Sequence, residues 1–284
     1  MAEMFNGARL VAAGSGAWRP VVWCFHVGGQ MDATLRAALP TCAILNYTFN
    51  PAPGSAASGK YKSRAQGGGL PSSWAELQET AAHLLPGVQL GRVILSGWSE
   101  GCQGARCYLQ MGARPAGIVA CDGIHASQPP AASQIDPWKA YADLARAGVS
   151  WCSITATHIV TSGYLSTTQT LPLVTGFSAA DWRPAQGYQV ADAGTLHAEH
   201  WPGTDAAAHV QQQREVLPRL LASMVGSMGA PSSPPASSPP RSSPPSSTPP
   251  RSSPPPASSK SSGSGLGGAM IFGLMMLGAS KIRW

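Results

Sequence analysis

The chain has 284 residues, with 19 Lys+Arg against 13 Asp+Glu, a formal charge of +6, 32 Gly, 26 Pro and 6 Cys. Five of the cations, Arg241, Arg251, Lys260, Lys281 and Arg283, lie beyond residue 228, where no acidic residue occurs, so residues 1–228 hold 14 Lys+Arg against 13 Asp+Glu, a net of +1. A nucleic-acid binder carries its basic excess on a folded face, and this distribution argues against nucleic acid as a partner.

In chain order, MAEMFNGARLVAAG lacks both the charged start and the long apolar stretch of a secretory signal peptide, so export by that route is not expected. PVVWCFHV (20–27) and TCAILNYTF (41–49) are β-branched and aromatic runs that predict strands. A glycine-serine loop follows at 51–70, and SSWAELQETAAHLL (72–85) predicts a helix, with Ser73 three residues before Glu76 as a capping box. Further strands are predicted at 91–97, 116–123, 149–160 and 187–194, with an insertion over the strand ends at 124–145. Because these runs show no polar alternation, they predict a mostly parallel sheet covered on both faces, an α/β class. Cys24, Cys42, Cys102, Cys107, Cys121 and Cys152 lie singly in apolar segments, without Cys-x-x-Cys or a histidine at ligand spacing, and read as core residues. No metal and no organic cofactor is expected.

The chemistry concentrates at RVILSGWSEG (92–101). A serine hydroxyl is a poor nucleophile at neutral pH, so it needs a turn that exposes it, a base for its proton and donors for the oxyanion. The strand running into Gly97-Trp98-Ser99-Glu100-Gly101 and then into a helix-like pattern supplies the turn, with Ser99 as candidate nucleophile. One oxyanion donor would be the N–H of Glu100. The other would come from HVGGQ (26–30), where Gly28 and Gly29 let backbone N–H groups face a ligand. His26 is read as ordering that loop, and His83 as a surface residue of the helix. His125 and His158 lie just past two strand ends, where they line the site or satisfy buried carbonyls.

With HVGG and GWSEG in this order, residues 9–224 resemble the α/β-hydrolase family. The resemblance implies a three-layer sandwich on an eight-strand-derived sheet trimmed at its N-terminus, and a triad in the order serine, acid, histidine. It points to a serine hydrolase that cleaves an ester, small or polymeric, through an acyl-enzyme. Asp122, closing its strand, is the expected acid, although the family more often carries the acid after the next strand, here WCSITATHIV. Asp136, Asp181 and Asp192 are alternatives. PGTDAAAH resembles the turn before the family's histidine, which makes His209 the expected base. His200 is its rival, since an N-cap at Thr204 would put His209 inside a helix, and His197 is a third candidate. A module that keeps the fold without the chemistry is the competing reading. Trp74, Trp98, Trp138, Trp151, Trp182 and Trp201 serve packing, or at the mouth would meet an apolar or sugar-like substrate.

Three segments are expected: a hydrolase-like domain at 1–228, a Pro/Ser linker at 229–264 and an apolar end at 265–284. The linker repeats Ser-Ser-Pro-Pro, which removes N–H donors and favours extended backbone. The run 265–279 would cover about 22 Å as a helix, against a hydrocarbon core of about 30 Å. A membrane or a larger assembly is its candidate partner.

Overall fold

The computed structural model describes residues 4–15, 18–49 and 60–229. Residues 51–59 of the glycine-serine loop, nearly all of the Pro/Ser segment and the whole apolar end lie outside the described residues. The strands are β1 (Met4–Phe5), β2 (Ala8–Ala12), β3 (Trp18–Phe25), β4 (Ala43–Tyr47), β5 (Gln89–Trp98), β6 (Gly117–Cys121), β7 (Ala126–Ser127), β8 (Trp151–Ala156), β9 (Tyr164–Leu165), β10 (Arg183–Pro184), β11 (Gln189–Ala193) and β12 (Leu196–His200). The helices are α1 (Asp32–Ala38), α2 (Trp74–Leu84), α3 (Cys102–Gln110), α4 (Ala132–Arg146), α5 (Thr167–Thr175), α6 (Ala206–Gln211) and α7 (Leu217–Ser227), with a π turn over Gln212–Val216 joining the last two.

Ten strands form one sheet in the order β1-β2-β4-β3-β5-β6-β8-β12-β11-β10. The six central strands, β4 to β12, run parallel, and short antiparallel strands close both edges. The sheet is therefore not trimmed at its N-terminus: β1 and β2 pair there, carried by a Phe5-Asn6-Gly7-Ala8 turn with Asn6 and Gly7 at positive φ.

Alternation along each central strand feeds two cores, because successive side chains leave opposite faces of a strand. Val21, Trp23, Phe25, Leu45, Leu95, Ile118 and Ile154 pack with Leu77, Tyr108, Trp138, Tyr141 and Leu171 from helices α2 to α5. Val22, Cys24, Ile44, Ile94, Val119 and Cys121 pack with Leu35 of α1 and with Leu217, Leu220, Leu221 and Met224 of α7. All six cysteines are buried and unpaired.

Two expectations are corrected. The segment 124–145 is not a long loop: most of it is α4, whose Ile135, Trp138, Tyr141, Ala142 and Ala145 are buried against the sheet. The strand at 187–194 is not the last one, since β11 turns back antiparallel into β12, which pairs parallel with β8. LHAEH has no apolar run to announce a strand; its Glu199 is buried by pairing with His197, Trp201 and Arg219.

Candidate active site

The register brings five strand ends to one edge: Phe25 lies beside Gly97, Trp98 beside Cys121, Cys121 beside Thr155, and Ala156 beside His200. The next residues along the chain, His26, Ser99, Asp122 and Thr157, therefore line up across the carboxyl edge. The chain passes from β3 to β4 on one side and to β5 on the other, so the crevice at the β3 and β5 ends is the switch point where open α/β sheets bind ligands.

Three of these four residues have left-handed backbone: Ser99 at φ 52°, His26 at φ 61° and Asp122 at φ 47°. Such conformations cost a non-glycine residue about 1–3 kcal/mol and persist only where packing imposes them. The packing is visible at two glycines. A Cβ on Gly101 would stand 2.2 Å from the Phe25 carbonyl oxygen and 2.5 Å from the His26 Cβ, and one on Gly123 would stand 2.0 Å from the Ser99 carbonyl oxygen. The turn at Ser99 is thus wedged between the loop after β3 and the loop after β6. Ser99 itself starts a short 3-10 turn (Ser99–Gly101) that leads into α3.

Asp122 and His209, 87 residues apart in the chain, meet at 2.7 Å between Oδ2 and the imidazole Nδ1. Asp122 also accepts from the Thr157 hydroxyl at 2.8 Å and from the Thr157 N–H at 3.3 Å. Burial works to raise its carboxyl, but the bonds from His209 and Thr157 outweigh it and hold the acid below the usual carboxylate range. The position after β8, where the resemblance predicts an acid, carries Thr157 instead, and it serves the acid of the neighbouring strand. Thr157 had no sequence signal beyond its place at a strand end. The helix cap is Asp205 rather than Thr204, accepting from the Ala208 N–H at 2.9 Å, and His209 in its first turn still reaches Asp122.

The rival histidines are engaged elsewhere. His197 lies between Asp192 (2.6 Å) and Glu199 (2.9 Å), and the fully buried Glu199 also accepts from Trp201 and Arg219. Burial alone would lower the His197 imidazole, but its two carboxylates raise it. His200 shares a 2.6 Å hydrogen bond with the Thr168 hydroxyl and stacks on His158 at 4.1 Å. Of the other acids, Asp136 is exposed on α4, Asp181 caps Ser178, and Asp192 pairs with Arg183 and His197. Among the described residues no cluster of His, Cys, Asp and Glu is disposed to hold a metal ion.

Around the candidate residues, the Val27 carbonyl accepts from the Asn46 side chain and from the Thr48 hydroxyl (2.8 Å). A planar trans peptide then turns the Gly28 N–H to the opposite side. His26 shares a 2.9 Å hydrogen bond with Tyr61, which fits its expected role of ordering the loop. His83, expected on the surface, stacks on Phe5 at 3.6 Å. The imidazole held by the buried Asp122 packs against Trp98, the residue that precedes Ser99 on its left-handed turn.

The architecture, a mostly parallel sheet with helices on both faces, is the three-layer α/β arrangement expected from the resemblance to the α/β hydrolases. No protein-family model matches the chain, and no curated protein matches it. Among solved structures, TT1662 from Thermus thermophilus is 16% identical, covering 80% of this chain and 96% of that one, with a TM-score of 0.46. The LpqC poly(3-hydroxybutyrate) depolymerase from Bordetella parapertussis is 15% identical over 78% of this chain and 83% of that one, TM-score 0.41. The NocB thioesterase domain, solved as a covalent complex with a fluorophosphonate nocardicin G analog, is 14% identical over 77% and 96%, TM-score 0.33.

The histidines near this edge set an acid limit on stability. Burial pushes the His125 imidazole down to about 4, from an unfolded value near 6.5. His26 and His200 are also lowered by burial, with nearby His209 and His158 adding to it. The unfolded chain therefore binds more protons than the native one as pH falls through 6.5, and stability drops until about pH 4, His125 alone accounting for about 3 kcal/mol. His197, raised in the native state, contributes in full below about 6.5 and is flat across this window. Urea midpoints measured from pH 7 to pH 4 are expected to fall, and His125→Gln to flatten the fall. A midpoint independent of pH in that range would contradict this account of the buried imidazoles.

Proposed function

We propose that the chain is a serine hydrolase of carboxylic esters, with residues 1–228 as its catalytic unit. Ser99 attacks the ester carbonyl. His209 takes the serine proton through its second ring nitrogen and returns it to the leaving alkoxide; Asp122 holds the tautomer and offsets the charge that the imidazole gains. The N–H of Glu100, together with N–H groups at Gly28 and Gly29, receives the oxyanion. Water then repeats the sequence on the acyl-enzyme, and no cofactor enters any step.

The observation that carries this reading is the 2.7 Å contact between His209 and Asp122, with His209 packed on Trp98, the residue before a serine held at φ 52°. An ester is the substrate class implied by the resemblance to α/β hydrolases, and its acyl part is open to test. A panel of p-nitrophenyl esters from acetate to long chains reads the acyl preference, with polymeric esters as a separate arm. The decisive experiment is labelling with a fluorophosphonate probe, followed by peptide mapping. Stoichiometric modification of Ser99 is expected, prevented by Ser99→Ala. An unmodified Ser99 in folded protein would favour a scaffold that keeps the fold without the chemistry.

A further inference from the structure

We propose that Trp98, packed against His26, is the positioning residue of the base: its indole fixes both the backbone and the imidazole of His209. This rests on the reading of Ser99, His209 and Asp122 given above. The Trp98 indole N–H donates to the His209 carbonyl at 2.8 Å, and the two rings lie 4.7 Å apart at 34°. The indole also stacks on His26 at 5.4 Å and 18°. His26 is in turn fixed by the fully buried Tyr61, whose oxygen also accepts the Phe49 N–H at 3.3 Å, and by Gln213, whose side-chain amide donates to the His26 carbonyl at 3.3 Å. These contacts tie together the loop after β3, the turn that carries Ser99 and the helix that carries His209.

A carboxylate bonded to one ring nitrogen does not by itself stop an imidazole from swinging about that bond. An aromatic face against the ring removes the swing, and the bond to the His209 carbonyl removes movement of the helix turn beneath it. A rotation that carries the second nitrogen an ångström from the serine proton is enough to cost rate. When the imidazole takes that proton it becomes a cation against an indole face, the aromatic surface that attracts cations best. Burial, with the neighbouring His209 adding to it, lowers the His26 imidazole and so disfavours a competing positive charge on the indole. Packing alone would not require the indole N–H to reach the main chain of His209. Trp98 is also only half-buried, unlike the core Trp23 and Trp138.

The test compares Trp98→Phe, which keeps an aromatic face and loses the N–H, with Trp98→Leu, which loses both. Each is measured on p-nitrophenyl acetate, with circular dichroism to establish folding and fluorophosphonate labelling rates at Ser99. We expect kcat to fall about 10-fold or more in Trp98→Leu and by a smaller factor in Trp98→Phe, with KM changed less than twofold and labelling slowed in parallel. Equal kcat and equal labelling rates in folded variants would overturn the proposal, as would a change confined to KM. If Trp98→Leu does not fold, Trp98→Phe alone decides on the same two readouts. Failure of the underlying reading looks different, because wild-type Ser99 would then resist the probe.

Discussion

Ser99→Ala, His209→Ala and the double substitution are expected to lower kcat/KM on an activated ester to one common residual level, about 10⁴ to 10⁶ below wild type. The three coincide because nucleophile and base act as one unit: without the imidazole the hydroxyl keeps its proton, and without the hydroxyl the imidazole has nothing to activate. The remaining turnover reflects substrate binding and the oxyanion donors. His200→Ala is the discriminating control. Its ring is occupied by Thr168 and stacked on His158, and it makes no hydrogen bond to a carboxylate among the described residues. Turnover in that variant is expected within about threefold of wild type. Loss of activity in His200→Ala with His209→Ala unaffected would reverse the assignment of the base.

Asp122→Asn is expected to lower kcat about 10⁴-fold with little change in KM. The carboxylate accepts from the His209 Nδ1–H and from both Thr157 donors, and so keeps the proton on Nδ1. An amide whose oxygen stays on the Thr157 N–H turns its NH₂ toward His209, with the Thr157 hydroxyl rotating to accept; this would put the imidazole proton on the second ring nitrogen and remove the lone pair that the proposed attack requires. The fold should survive, since the amide has the shape of the carboxylate and sits among the same groups. Asp136→Asn, Asp181→Asn and Asp192→Asn should retain activity within about twofold, because none of these residues touches His209. A pH–rate profile separates a wrong tautomer from simple unfolding: the Asn variant should melt near the wild-type temperature while remaining slow at every pH. A wild-type rate in Asp122→Asn would remove Asp122 from the mechanism.

Much of the fold was legible in particular stretches. PVVWCFHV, AILNY, RVILSG and GIVAC are apolar on both faces, and a strand with no polar face must lie inside a covered sheet. The cap predicted at Ser73 is local chemistry and forms, Ser73 accepting from the Glu76 N–H at 3.1 Å, while the return bond of the expected box goes to the Ser72 N–H, at 2.7 Å from the Glu76 carboxylate, instead of that of Ser73. Where local pattern and tertiary demand diverged, the pattern failed. LHAEH alternates in the wrong kind of residue for a buried strand, because Glu199 is buried by His197, Trp201 and Arg219 rather than by apolar neighbours. The segment 124–145 begins with prolines and polar residues that read as loop, yet from Ala132 its apolar residues fall on one helical face against the sheet.

By itself the sequence determined the α/β class and the expectation of a sharp turn at Ser99, because periodicity and glycine spacing act between residues that are near neighbours in the chain. The tertiary structure alone decided which imidazole meets which carboxylate. On paper Asp122 and His209 were the expected pair, with His200 and then His197 as alternatives that local pattern could not dismiss. Strand order aligns the ends of β5, β6 and β8, Thr157 fixes Asp122 between them, and α6 lowers His209 onto that carboxylate, while β12 commits His197 to Asp192 and Glu199. Hydrogen bonding requires atoms within about 3 Å, and over 87 residues of intervening chain only the packed sheet sets that distance.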